Sequence, residues 1–174
     1  MRTRRIAIDI ATTGLEPRDD HRLIEIACVE LIGTRISGNG WHTYCWPDRP
    51  IDAAATAVHG LREEDVVDAP TFADVADSLL EHIYGAELIL HNADLRLDFL
   101  DRELHAATGF GSGCVLIWDT LRIARHHWPQ IRPTLTALAI HLGLDPSGTR
   151  RSTRENATLT AAAWAALQEL REHE

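Results

Sequence analysis

Arg4-Arg5-Ile6-Ala7-Ile8-Asp9-Ile10-Ala11-Thr12-Thr13-Gly14-Leu15 is the stretch on which the fold turns. Behind two arginines runs a short apolar segment, the form of a buried strand. Asp9 stands inside it. A carboxylate left unpaired in such a place costs several kcal/mol, so Asp9 must meet a cation, a hydrogen-bond donor, or water at the strand's end.

Outward from this segment the chain reads as alternating elements. Leu23-Ile-Glu-Ile-Ala-Cys-Val-Glu-Leu-Ile-Gly33 alternates like a second strand, and a turn near Gly33 leads to a third through Gly40-Trp-His-Thr-Tyr-Cys-Trp46. Three early strands predict an antiparallel meander. From Thr71 the period changes. Phe72, Val75, Ala76, Leu79, Leu80 and Ile83 recur at helical spacing, with Thr71 placed to cap the helix.

Glu87-Leu-Ile-Leu90 is then a short buried strand, followed by a helix from about Asp94 to His105 and a strand in Cys114-Val-Leu-Ile-Trp118. Helices are predicted around Leu121 and Leu135, the latter stopped by Gly143. Ser152-Thr-Arg-Glu155 is a capping box that announces a final, alanine-rich helix. Strands first, then alternating strands and helices, predict an α/β fold with a mixed sheet flanked by helices.

The 174 residues, 45% apolar and 25% charged, suit one domain spanning 1–174, with no linker or repeat to divide it. No window approaches the roughly 18 apolar residues of a membrane span, and the start carries basic residues without a secretory leader. No membrane partner and a cytoplasmic setting are therefore expected. Cys28, Cys45 and Cys114 lack the number and spacing of a disulfide framework or a zinc site, and read as buried thiols. A formal charge of −9 argues against coating nucleic acid by bulk attraction and leaves room only for a local basic site.

Asp9 followed by Ala11-Thr12-Thr13-Gly14-Leu15 resembles the first motif, D-x-E-T-T-G-L, of the DnaQ family of DEDDh 3′–5′ exonucleases. The similarity continues in order and spacing through LIEIACVEL, WHTYCWPDRPID, AVHGLREEDVVDAPTFADVADSLLEHI, GAELILHNADLRLDFLDREL and WDTLRIAR, and runs closest to the epsilon, proofreading branch. The resemblance implies a ribonuclease H-like fold with a central five-stranded sheet. It also implies two-metal phosphodiester hydrolysis, with four carboxylates holding two divalent ions and a histidine as general base.

Residue by residue, the chemistry of that family is largely replaced. Asp9 matches the first aspartate, but Ala11 stands at the glutamate position. The second motif, H-N-A-x-F-D, becomes His91-Asn92-Ala93-Asp94-Leu95-Arg96, with Arg96 in place of aspartate. In the third, H-x-x-x-x-D-A, Arg151 replaces the histidine and Asn156 the last aspartate. These positions carry a net +1 where the family has −4 from its carboxylates. A divalent ion about 5 Å from one guanidinium is repelled by roughly 6–7 kcal/mol at an effective dielectric of 20. No metal is expected, with Mg2+ or Mn2+ required only if the site were rebuilt. Asp94 and Asp98 do not rebuild it, because two residues along a helix turn a side chain about 200° from Arg96.

Arg96 then has two readings: an internal partner for Asp9 that merely stabilises the fold, or, with Arg151, Arg150 and Arg154 near a helix N-terminus, a fork of donors for a phosphate or strand end. Thr12, Thr13, Gly14, His59, His91 and Asn92 fall where the family contacts nucleic acid; His59 and Asn92 can equally serve as capping or loop-holding residues. The five tryptophans are too dispersed for a stacking platform and read as packed in the core or half-buried at its margin. The function expected is a noncatalytic exonuclease-fold protein that binds single-stranded nucleic acid at its 3′ end, or a replication or repair protein. The alternative is an active 3′–5′ exonuclease with an altered metal site, or one inactivated by engineered substitution.

Overall fold

The structure is a computed structural model and describes residues 3–16, 19–113, 116–146 and 152–172. Strands β1 (Arg4–Thr12), β2 (Leu23–Ile32) and β3 (Arg35–Tyr44) form the antiparallel meander that the sequence predicts. β4 (Glu87–Leu90) and β5 (Ile117–Asp119) add in parallel, giving one mixed sheet in the order β3-β2-β1-β4-β5. β1 is central and buried on both faces, which is why its residues are apolar almost without alternation.

Helices cover both faces. Ile6, Ile8, Cys28, Leu88 and Leu90 pack against Phe72, Leu79 and Ile83 of α3 (Phe72–Ile83) and Leu100 and Leu104 of α4 (Ala93–Thr108). On the other face, Ala7, Ala27 and Ile89 meet Ala157, Ala161 and Trp164 of α7 (Thr153–Glu172). Alanines on both sides let that helix lie close to the sheet. α5 (Thr120–His127) and α6 (Leu135–His141) pack against α7 through Ala124, Leu138, Ala163 and Leu167.

Local signals place the helix ends. Thr71 Oγ1 accepts from Asp74 N and Asp74 returns a bond to Thr71 N, a complete capping box. Ser152 and Glu155 make the same exchange at the start of α7. Gly143, at φ 71°, follows α6 as predicted.

Two elements escape the sequence pattern. α1 (Ala53–His59) and α2 (Glu63–Val66) bury only Ala55 and Val66, so neither is long enough to show a helical period. β5 is shorter than the predicted strand, beginning at Ile117; Cys114 and Val115 lie outside the described residues. Cys28 and Cys45 are free and buried, and burial pushes the Cys45 thiol up to about 12. Among the described residues, no helix is long and apolar enough to cross a membrane.

Candidate nucleic-acid-binding cleft

Asp9 is 3% exposed, near the end of β1 and opposite Ala27 of β2. Its partner is Arg96, from the first turn of α4, whose Nε donates to Asp9 Oδ1 at 2.8 Å. The same guanidinium donates through Nη1 to the His91 carbonyl at 2.6 Å. One arginine thus satisfies the buried carboxylate and ties β1 to the turn between β4 and α4. Asp94 and Asp98 lie on the exposed side of α4, away from this contact, as their spacing from Arg96 predicts.

That turn is built around Asn92 and Asp119. Asn92 adopts the left-handed conformation, φ 59° and ψ 64°, which asparagine tolerates better than most residues. Asp119 Oδ1 accepts from the backbone N–H of Asn92, Leu121 and Arg122, and its Oδ2 from Ala93 N–H. One carboxylate caps two helices at once, where both helix dipoles favour negative charge. His91 is 4% exposed, with Nδ1 2.9 Å from Thr120 Oγ1. Burial, and then the Arg96 charge, lower its pKa to about 4. His91 is therefore a neutral ring within the wall.

Ala11 is buried with Ile24 and Val66, edged by Trp46, Ile51 and Leu61. β2 carries one extra residue here, because Ala11 pairs with Glu25 while Thr12 pairs with Leu23, and Ile24 is left as a bulge. Glu25, directly across from Ala11, is 3% exposed and has both oxygens engaged: His42 Nε2 lies 2.7 Å from Oε1, and Thr153 Oγ1 donates to Oε2. Asn156, in the first turn of α7, is half-buried. Arg150 and Arg151 lie outside the described residues.

The remaining candidates form a second group. His59 Nε2 donates to the Thr12 carbonyl at 3.1 Å while its Nδ1 accepts from Leu61 N–H, so the ring is bonded at both nitrogens. Thr13 is fully buried and its hydroxyl accepts from Arg22 N–H. Gly14 is buried against the His21 ring. Thr12 and His59 are the half-buried members, and Thr13 and Gly14 shape the loop from beneath.

Residues 6–152 match the exonuclease family RNase_T. The chain belongs to the DnaQ-type exonucleases. DNA polymerase III subunit epsilon of Pasteurella multocida (strain Pm70) is 40% identical over 152 residues, covering 83% of this chain and 60% of that protein. The chain spans about 60% of the length of the curated relatives it matches. A solved structure of Exonuclease X in complex with 5′ overhanging duplex DNA is 28% identical, with a TM-score of 0.73 over 97% of this chain and 93% of that one. E. coli Exonuclease I, in complex with an oligonucleotide, shares the fold at 13% identity and a TM-score of 0.84, covering 99% of this chain and 42% of that one. The sheet and its helices are thus the ribonuclease H-like fold of exonucleases.

The DnaQ-type site calls for two divalent ions, and the residues present do not fit them. Asp9 already spends an oxygen on Arg96, an alanine packed in apolar side chains stands where a glutamate ligand belongs, and Asn156 brings no charge. Glu25, the acid nearest in register to the missing glutamate, is committed to His42 and Thr153.

Three residues of the cleft escape the sequence pattern: Glu25, Asp119 and His21. For Glu25 a signal exists, since it sits in an apolar strand just as Asp9 does. For Asp119 the signal is its place just before α5, whose Leu121 and Arg122 N–H it caps; its reach to Asn92 and Ala93, and that of His21 to Asp52, have none, because those partners come from distant segments.

Proposed function

We propose that this DnaQ-type chain is a noncatalytic exonuclease-fold protein that holds the 3′ end of a single-stranded nucleic acid without metal. The observation that carries the reading is the Arg96–Asp9 pair, in which a guanidinium engages the one carboxylate of the family's metal-binding set that the chain keeps. Arginine presents five N–H donors in a planar fork. Asp9 and the His91 carbonyl use two of them, and the rest suit a phosphate. Arg151, five residues before Asn156, extends the arginine series in sequence, while Arg154 is exposed in the first turn of α7 and turned about 200° from Asn156.

The setting proposed is DNA replication or repair in the cytoplasm, alongside a protein partner. The relatives support it, being named as DNA polymerase III subunits, and Exonuclease X was solved with DNA. Without a Lewis acid or a metal-activated water, the cleft would recognise an end and leave it intact. Thr12 and His59 would meet the terminal nucleotide, and the wall built by His91 and Asn92 would bound the site.

The test is one assay with a labelled single strand, with Mg2+, Mn2+ or EDTA, following binding and 3′-end shortening together. Binding that persists in EDTA and weakens in Arg96→Ala or Arg151→Ala, with no shortening, supports the reading. Metal-dependent shortening that disappears in Asp9→Ala overturns it in favour of an active enzyme with a rebuilt site. Absence of any binding leaves a protein-docking role for the fold.

A further inference from the structure

His21 ends the loop between β1 and β2, and its side chain is only 8% exposed. Nδ1 lies 3.1 Å from Thr13 Oγ1, and Nε2 faces Asp52 Oδ2 at 3.5 Å. Arg22 N–H fills one lone pair of the Thr13 hydroxyl at 2.9 Å, and the same hydroxyl makes its second bond with His21 Nδ1. Nε2 is turned toward the Asp52 carboxylate.

Asp52 is the N-cap of α1, and its backbone N–H donates to the Thr13 carbonyl at 2.8 Å. At the other end of α1, His59 donates to the Thr12 carbonyl. The helix is therefore bonded at both ends to Thr12 and Thr13, and the His21 ring bridges the same two segments. Gly14 completes the arrangement. A Cβ built there would overlap His21 Cε1 and Nε2, so any larger residue must expel the ring.

We infer that His21 is the positioning residue of the end-binding loop: seated in the notch left by Gly14, it bridges Thr13 to Asp52 and sets Thr12 in register with His59. This rests on the end-binding reading above. It also gives the glycine of the Thr-Thr-Gly segment a task within this chain, to accommodate a histidine ring. Neither Gly14 nor His21 would touch nucleic acid.

The test is a comparison of His21→Ala, Gly14→Ala, the double variant and His21→Asn, read by two measurements. The first is affinity for a labelled single strand in EDTA. The second is hydrogen exchange at the Arg22 and Asp52 amides, which bond Thr13. His21→Ala and Gly14→Ala are each expected to weaken binding about five- to tenfold, the worth of one or two lost hydrogen bonds. Both should speed exchange at the two amides while core amides of β4 stay protected.

The double variant should be no worse than His21→Ala alone, because the alanine then meets no ring. His21→Asn, which restores a polar atom near the Nδ1 position for Thr13 but does not reach Asp52, should recover only part of the affinity, and full recovery would show that Asp52 plays no part in the bridge. Additive losses in the double variant, or unchanged exchange in His21→Ala, overturn the inference. If the unaltered protein binds no single strand, the end-binding reading fails, while the exchange pattern still decides whether His21 holds the loop.

Discussion

Arg96 Nε lies 2.8 Å from Asp9 Oδ1, and the two side chains are 23% and 5% exposed. A pair this enclosed behaves unlike a surface ion pair: removing one partner strands the other in a low-dielectric site. Arg96→Ala is expected to destabilise the fold by about 3 kcal/mol, because it leaves Asp9 buried without a cation. Asp9→Ala/Arg96→Ala together should cost less than the sum of the single changes, a coupling that urea denaturation in a double-mutant cycle would measure. Simple additivity would show that the pair is not a unit.

Restoring the family's chemistry makes a second prediction. Ala11→Glu, Arg96→Asp, Arg151→His and Asn156→Asp together are expected to produce Mg2+-dependent 3′ shortening, whereas each change alone produces none, since two-metal catalysis needs the whole ligand set. Ala11 is packed with Ile24 and Val66, so a glutamate there should also cost about 1–3 kcal/mol by overpacking. Thermal melting of the combined variant, run beside the nuclease assay, separates failure to fold from failure to cleave. Shortening by the unaltered chain would refute the noncatalytic reading outright.

Much of this fold is legible in the sequence because its signals are local. Ile6, Ile8 and Ile10 declare a buried strand, Phe72 to Ile83 a helical stripe, and Ser152 with Glu155 a helix start that the structure reproduces bond for bond. Asp9 is legible as a carboxylate needing a partner, and Arg96 as a candidate for that partner. Asp119 is legible only as the cap of α5; its bonds to Asn92 and Ala93, and the reach of His21 to Asp52, are not, because they join segments far apart in sequence. α1 is hidden for another reason. It buries a single residue, so it has no apolar stripe to read.

The state of His91 predicts a pH dependence. Its pKa falls from the ordinary 6.5 to about 4, so the folded protein holds the ring neutral where the unfolded chain would bind a proton. The unfolded state therefore takes up more protons between about pH 6.5 and pH 4, and stability falls as pH is lowered through that window. The full effect is roughly 3 kcal/mol, because each tenfold change in proton affinity between the two states is worth about 1.4 kcal/mol. Urea denaturation at pH 7 and pH 4.5 should show a smaller loss in His91→Gln than in the unaltered protein. Identical losses would mean that His91 does not hold this stability.

Asp119 links the stability of the fold to the cleft. Its carboxylate accepts four backbone N–H groups at the starts of α4 and α5, and α4 carries Arg96 in its first turn. Asp119→Ala removes two caps and strands several donors, at a cost of about 3 kcal/mol, which corresponds to a melting temperature lower by roughly 6–12 °C for a domain of this size. Asp119→Asn keeps an acceptor at Oδ1 but turns an amide N–H2 toward Ala93 N–H, so it should lose about half as much. Because the freed turn no longer fixes Arg96, single-strand affinity should fall in the same order, Asp119→Ala below Asp119→Asn. A variant that melts early yet binds a single strand with undiminished affinity would show that Arg96 is held by Asp9 alone.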